Sequence, residues 1–221
     1  MRRFFSLTVS VLLIISICTS MISCEKNRKY DTDEVIGAAR ILIEKSIPLN
    51  ELLYGKGIAY TDEGVGIYKR ADKSSLDSFG ISNLDQVKRM IKEIYSDSYS
   101  ETIFNSDTFS SIKIDDVIKS YNRYYQEYDK DGNPTYIMVN SKYEYFLKGS
   151  YEYHESMEII GVKGEVITVR TLVTVTGENG KVKNINLDIR LIEQENGWRL
   201  ESPTYAVYNE YTDLYDELNK K

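Results

Sequence analysis

Histidine is the side chain most often used for acid–base chemistry near neutral pH, and this chain has one, His154. The apolar residues around it, Tyr153, Met157 and Ile159, share one strand parity. This spacing predicts that His154 points to the opposite, polar side of a strand. One histidine is also too few for a cluster of histidine metal ligands. We therefore expect His154 to be a surface side chain and not a catalytic base.

The segment Asp129-Lys130-Asp131-Gly132-Asn133 has the composition of a calcium-binding loop. With Gly132 at the sixth position of an EF-hand, Met138 falls at the twelfth, where a bidentate glutamate belongs. Strand-like segments, Tyr121–Tyr128 and Tyr136–Asn140, flank it where an EF-hand has helices. The sequence therefore predicts a hairpin turn here and no metal site.

Two short patterns match motifs of penicillin-recognising enzymes, Ser110-Ser111-Ile112-Lys113 and Ser120-Tyr121-Asn122. Their spacing is far too short and the K-T-G element is missing, so we attribute the match to chance. Glu152, Glu155 and Glu158 lie close in sequence, but nothing distinguishes them from a solvated face. We expect no catalytic residues, no cofactor and a protein that is not an enzyme.

Tyrosine is the unusual feature of the composition, with nineteen residues against six phenylalanines and one tryptophan. Tyrosine offers a large, rigid contact area with a polar tip, which suits contacts with glycans or proteins. Strand propensity and the codon bias of an AT-rich genome are the alternative explanations. Strand parity places rings on both faces of the predicted hairpin. The candidate contact surface comprises Tyr121, Tyr124, Tyr125, Tyr128 and Tyr136.

Helical patterns fill the first half of the chain. Asp31 and Thr32 offer N-cap oxygens, and Pro48 is expected to end or restart the helix that follows. A second short helix should stop at Gly55-Lys56-Gly57, and residues 58–80 should be irregular or form a weak hairpin. A third helix is expected from Ser82-Asn83-Leu84-Asp85 to Tyr95, and a fourth around Tyr99, Ile103 and Phe104.

The second half of the chain changes to a period of two. Ile167, Val169, Val173 and Val175 alternate with polar residues, and the set Ile185, Leu187, Ile189 and Leu191 does the same. The turns Glu178-Asn179-Gly180 and Glu195-Asn196-Gly197 separate these strands from each other and from Trp198. Such alternation is typical of an antiparallel sheet that is covered on one face. The predicted fold class is therefore α+β, with N-terminal helices packed on one face of a curved antiparallel sheet.

The closing segment Glu195-Asn196-Gly197-Trp198-Arg199-Leu200-Glu201-Ser202-Pro203 resembles the last strand of the NTF2-like, cystatin-related cone fold. Separately, the segment from Asn50 to Gly57 followed by a helix at Leu84 to Tyr95 is similar to uncharacterised lipoproteins of low-GC Gram-positive bacteria. Some of those lie near a family of inhibitors of cell-wall DL-endopeptidases. These resemblances imply a small exported α+β domain.

The N-terminus has the three parts of a secretory signal: Arg2 and Arg3, an apolar run from Leu7 to Ile17, and a small residue before a cysteine. Met21-Ile22-Ser23-Cys24 resembles the bacterial lipobox, in which the cysteine thiol receives diacylglycerol. We therefore expect lipidation at Cys24. The expected organisation is a signal peptide at 1–23, a tether at 24–30, one domain at 31–208 and a helical or disordered tail at 209–221.

The cysteine content and the net charge limit which functions this chain can have. Cys18 leaves with the predicted signal and Cys24 is consumed by lipid, so no thiol remains for a disulfide, a nucleophile or a metal. The formal charge of −6 becomes more negative when residues 1–23, which carry two arginines and no acid, are removed. A net negative charge argues against nucleic acid as a partner.

The expected protein is a lipid-anchored, extracytoplasmic binding or interaction protein of the bacterial cell envelope. Its expected partners are the membrane, through the N-terminal lipid, and either peptidoglycan or another envelope protein. Two alternatives stay open: an inhibitor of a cell-wall hydrolase, and a small NTF2-like enzyme that uses the cavity of the cone. A flat, tyrosine-bearing face would favour binding or inhibition, whereas buried polar groups converging in a deep pocket would favour the enzyme.

Overall fold

The computed structural model describes residues 30–114 and 117–205. The predicted signal segment, Cys24 and the predicted tail at 209–221 lie outside these residues. The described residues from Thr32 onward belong to one compact unit.

Helix α1 (Thr32–Tyr54) is continuous and contains Pro48, so the prediction that the helix ends or restarts there is wrong. A proline inside a helix removes one backbone hydrogen bond and costs about 3 kcal/mol relative to alanine. The buried stripe continues on both sides of Pro48, and its packing outweighs that cost. The stripe consists of Val35, Ala39, Leu42, Ile43, Ser46, Leu49, Asn50, Leu52, Leu53 and Tyr54.

The weak hairpin expected within residues 58–80 is present as β1 (Tyr60–Val65) and β2 (Tyr68–Ala71), and a short helix, α2 (Lys73–Phe79), follows it. The Asp72 carboxylate accepts from the backbone N–H of Ser75 and starts α2, and Gly80, at φ 67°, ends it. The two further helices predicted from the sequence are confirmed as α3 (Leu84–Ile94) and α4 (Asp97–Phe104).

The strands are antiparallel and form two open four-stranded sheets and a separate hairpin, which confirms the α+β class. The first sheet has the order β1-β2-β6-β5, with β5 (Tyr124–Tyr128) and β6 (Pro134–Asn140). The second has the order β10-β9-β8-β7. Its strands are β7 (Ser150–Lys163), β8 (Val166–Thr176), β9 (Val182–Gln194) and β10 (Gly197–Leu200). The separate hairpin pairs β3 (Ile112–Ile114) with β4 (Val117–Ser120).

The helices cover one face of the second sheet. Helix α1 packs against β7 and β10, and α3 packs against β10. Every second residue of β8 is buried beneath this layer. Ile189 and Leu191 of β9 are fully buried, whereas Ile185 and Leu187 are half-buried. Trp198 lies on the same side, where its indole N–H donates to the Glu34 carboxylate of α1 at 3.0 Å.

Arg123 and Tyr124 join the first sheet to the end of α1. The buried Arg123 guanidinium donates to the carbonyls of Leu53 (2.9 Å) and Gly55 (2.7 Å). The Tyr124 hydroxyl donates to the Leu52 carbonyl at 2.9 Å and accepts from the Ile58 N–H at 3.1 Å. These bonds satisfy the last carbonyls of the helix with a positive charge at its negative end. Gly57 is required beside them, because a Cβ at this position would collide with both side chains.

Candidate contact surface

One face of the first sheet is buried toward the helices, and the other is partly exposed. The register of the strands decides on which face each side chain lies. Tyr124 pairs with Val139, and both are buried toward the helices. Tyr125 pairs with Met138 on the other face, and Arg70 of β2 pairs with the same methionine from the opposite side. Side chains of directly paired residues share a face. Tyr125, Arg70 and their alternate neighbours Tyr68 and Tyr136 therefore lie together.

These four side chains form what we call the tyrosine face: Tyr68, Arg70, Tyr125 and Tyr136. The rings of Tyr68 and Tyr125 meet edge to face, with centroids 4.7 Å apart. The Arg70 guanidinium lies 3.6 Å from the centroid of the Tyr136 ring, which is a cation–π contact. The same guanidinium pairs with the Glu63 carboxylate at 3.0 Å. The side chains are thus held by one another before any ligand arrives.

The tyrosine face is only partly shielded from solvent. Tyr136 is 41% exposed and the Arg70 side chain 40%, while Tyr68 and Tyr125 are half-buried. Burial, and then a hydrogen bond from its hydroxyl to Glu127 at 3.2 Å, raises the pKa of Tyr125. The Tyr68 hydroxyl donates to the side-chain oxygen of Asn122 at 2.8 Å. Both hydroxyls are therefore neutral and oriented at physiological pH.

The structure separates the five tyrosines predicted as a contact surface. Tyr124 is fully buried, so its inclusion is a correction: it is a core residue that caps α1. Tyr125 and Tyr136 belong to the tyrosine face. Tyr128 (57% exposed) lies at the end of β5 beside the turn, and Tyr121 (50% exposed) precedes that strand.

Sequence reasoning missed Tyr68 and Arg70. They come from residues 58–80, for which the sequence predicts irregular structure or a weak hairpin, and no local pattern indicates that β2 pairs with β6. The high density of tyrosines in the predicted hairpin indicated Tyr125 and Tyr136, which are two of the four residues of the tyrosine face.

A groove of about 440 Å³ borders the tyrosine face beside Arg70 and Tyr136. It runs from the β1–β2 hairpin to the first turns of α2. Charges of both signs line it, together with apolar groups. The remaining lining residues are Thr61, Glu63, Ala71, Asp72, Lys73, Leu76, Thr135 and Ile137.

His154 lies on the polar side of β7, as its spacing predicts. Its Nε2 atom is 2.8 Å from the hydroxyl of Thr174, which in turn bonds to Asn184 at 2.9 Å. These partners belong to the outer face of the second sheet, opposite the helices. The imidazole therefore bonds to a neutral hydroxyl, which bonds in turn to a neutral amide.

The acidic segment at residues 129–133 is a hairpin turn, as predicted. One Asp129 oxygen accepts from the backbone N–H groups of Asn133 (2.8 Å) and Asp131 (2.9 Å), and these bonds hold the pKa of Asp129 below its usual range. Glu152, Glu155 and Glu158 are all exposed on β7. Among the described residues, no group of three or more His, Cys, Asp or Glu side chains is arranged to hold a metal ion.

Several buried polar side chains converge at the contact between α1 and Thr204. The Thr204 hydroxyl lies 2.6 Å from Ser46 Oγ and accepts from Asn50 Nδ2 at 2.8 Å. The side-chain oxygen of Asn50, Oδ1, accepts from the Tyr95 hydroxyl at 3.1 Å, and the Thr204 backbone carbonyl accepts from the Tyr153 hydroxyl at 2.5 Å. These groups satisfy one another's hydrogen-bonding capacity, and together they attach the segment after β10 to α1.

Comparison with models of protein families, with curated proteins and with solved structures found no match to this chain. No enzyme family is therefore identified. None of the helices in residues 30–114 and 117–205 combines the length and the hydropathy needed to cross a bilayer.

Proposed function

We propose that this chain is a lipid-anchored, extracytoplasmic binding protein of the bacterial cell envelope and that the tyrosine face holds its ligand. The observation that carries the proposal is the tyrosine face itself. On one sheet, two phenol rings meet edge to face and a guanidinium lies over a third ring, and these side chains stay partly exposed. Tyrosine and arginine are, with tryptophan, the side chains enriched at the energetic centres of interfaces.

The placement of these side chains on paired strands favours a recognition role. The register between β2, β6 and β5 fixes the spacing of the rings, so little side-chain entropy is lost when a ligand covers them. The buried polar side chains around Thr204, by contrast, bond to one another. That contrast favours binding over catalysis.

The lipid anchor is the part of the proposal that rests on residues 1–24. The motif Met21-Ile22-Ser23-Cys24 supports it, and dual acylation holds a protein on a membrane stably where a single chain does not. Cys24→Ser should release the protein into the medium or leave it uncleaved. A Cys24→Ser protein of mature size that still fractionates with membranes would contradict the anchor.

Capture of envelope components tests the binding role. The full lipidated chain is immobilised in detergent and exposed separately to isolated cell walls and to solubilised envelope proteins. The double variant Tyr125→Ser, Tyr136→Ser should retain at least about tenfold less ligand, because each ring belongs to the proposed contact.

The matched control is the double variant Thr174→Ala, Asn184→Ala, which changes the outer face of the second sheet. It should capture ligand as the unchanged chain does. Undiminished capture by a folded tyrosine variant, or an equal loss in the control, would exclude the tyrosine face as the binding surface.

A further inference from the structure

The groove beside the tyrosine face carries charges of both signs in equal number, and we call it the mixed-charge groove. Its charged lining residues are Glu63, Arg70, Asp72 and Lys73. The formal charges of these four residues cancel, whereas the whole chain carries −6. A groove without net charge does not attract a polyanion or a polycation. Its ligand is therefore either uncharged or carries charges of both signs.

Asp72 presents a negative charge at the start of α2. Its Oδ1 atom accepts from the Ser74 hydroxyl at 2.5 Å and from the Ser75 backbone N–H at 3.1 Å. These two bonds hold the pKa of the Asp72 carboxyl below its usual range, so this carboxyl is ionised at neutral pH. Both bonds are to Oδ1, which leaves Oδ2 able to accept from an ammonium group of a ligand.

Arg70 presents a positive charge two residues before Asp72. Its guanidinium lies over the Tyr136 ring, and one of its five N–H groups donates to the Glu63 carboxylate at 3.0 Å. The same planar fork can donate to a ligand carboxylate as well. The chain is extended from Arg70 to Asp72, so their Cα atoms are about 7 Å apart. The two opposite charges are thus held within reach of the two ends of a short peptide.

Apolar side chains also line the mixed-charge groove. Ala71 and Ile137 are buried at its floor, and Leu76 and Tyr136 are partly exposed beside them. A surface of this kind suits a small aliphatic side chain. A neutral sugar could cover it too, but it would take the two charged groups out of water without supplying opposite charges, which is costly. The fixed charges therefore favour a ligand with both an ammonium and a carboxylate.

We propose that the mixed-charge groove binds a short peptide that carries both charges, with its ammonium on Asp72 and its carboxylate on Arg70. An extended peptide of three residues spans about 10 Å, enough to join the two side chains. The groove volume of about 440 Å³ lies within the range of small-ligand sites. The inference rests on the proposed function, because it names the class of ligand that the tyrosine face and its groove hold.

Isothermal titration calorimetry on the full lipidated chain in detergent tests the ligand class. The first probe is the tripeptide alanyl-leucyl-alanine with free termini. The second is the same tripeptide with an acetylated amino terminus and an amidated carboxyl terminus, and the third is the neutral trisaccharide of N-acetylglucosamine. The free tripeptide should bind at least about tenfold more tightly than the blocked tripeptide, because blocking removes both ion pairs. The trisaccharide should not bind.

Asp72→Asn removes the charge and keeps the local structure. Asparagine caps a helix as well as aspartate does, so α2 keeps its N-cap bond. The variant should bind the free tripeptide at least about fivefold more weakly, and acetylation of the amino terminus should then have no further effect. Asp77→Asn is the matched control, because Asp77 is exposed on α2 and does not line the groove. It should bind the free tripeptide as the unchanged chain does, and an unchanged melting temperature reports that each variant is folded.

Equal affinity for the free and the blocked tripeptide, or binding of the trisaccharide alone, would overturn the inference. An equal loss in Asp72→Asn and Asp77→Asn would overturn it too. So would the absence of tripeptide binding by a chain that still captures envelope components through the tyrosine face, and the proposed function would then stand. Undiminished envelope capture by the folded variant Tyr125→Ser, Tyr136→Ser would instead overturn the proposed function, whatever the tripeptides do.

Discussion

Tyr124 and Tyr136 lie on adjacent strands of one hairpin, yet burial gives them opposite roles. The Tyr124 hydroxyl bridges the Leu52 carbonyl and the Ile58 N–H inside the protein. Tyr124→Phe should therefore lower the free energy of unfolding by about 1–3 kcal/mol, since two buried groups lose their partner. Tyr136→Phe should change it by less than ~0.5 kcal/mol. Urea titrations of both variants measure the difference, and equal values would show that Tyr124 does not cap α1.

The sequence shows which residue type is concentrated in this hairpin but not which rings face solvent. Parity alone predicts that Tyr124 and Tyr128 behave alike, whereas Tyr124 is buried and Tyr128 is 57% exposed. The pairing of β5 with β6 shifts register between Gln126 and Tyr128, and Tyr128 pairs with Pro134 beside the turn. Burial therefore depends on this register shift and on the end of α1 that Tyr124 contacts, and the residue pattern of the hairpin contains neither.

Strand β9 allows a test of the sheet register. Ile189 is fully buried beneath the helices, and Asn186 is exposed on the opposite face. Ile189→Ala should cost about 2–5 kcal/mol, and Asn186→Ala well under ~1 kcal/mol. Leu187→Ala should fall between them, because Leu187 is half-buried and leaves a smaller cavity. Similar losses for Ile189→Ala and Asn186→Ala in a denaturant titration would contradict the register.

Helix α1 should become more stable when its internal proline is removed. Pro48 has no N–H to donate to the carbonyl of Glu44, and its ring crowds that carbonyl. Pro48→Ala should raise the free energy of unfolding by about 1–3 kcal/mol. Thermal unfolding provides the measurement, and Ile41→Ala, at an exposed position of the same helix, is the control. A lower melting temperature for Pro48→Ala would mean that the proline is needed for the path of the helix.

Elements with strong local signals were predictable, and elements that depend on distant partners were not. Asn83 caps α3 where the sequence predicts that this helix starts, and the turn at Asp129 is as expected. The continuity of α1 through Pro48 comes from its packing on β7 and β10. The division of the strands into two sheets depends on the pairing of β2 with β6, which lie far apart in sequence.

Alkaline pH should destabilise the whole molecule through its buried phenols. Burial raises the pKa of Tyr153 and of Tyr205 to about 12, against 10 for an exposed phenol. The unfolded chain therefore loses these protons first, so their contribution to stability is complete below pH 10 and declines as pH rises toward 12. The melting temperature should fall steadily over that window, and less steeply for Tyr153→Phe. Ionisation of all nineteen tyrosines near pH 10 in a folded protein would contradict this.

The central claim is that the tyrosine face meets the ligand in the cell envelope, and photo-crosslinking in living cells tests it most directly. A benzophenone amino acid is placed at position Tyr136 of the full chain, and at position Asn186 on the outer face of the second sheet as the control. Irradiation should yield a defined, higher-mass adduct from position 136 and none from position 186. The absence of an adduct at position 136, or the same adduct from both positions, would contradict the claim.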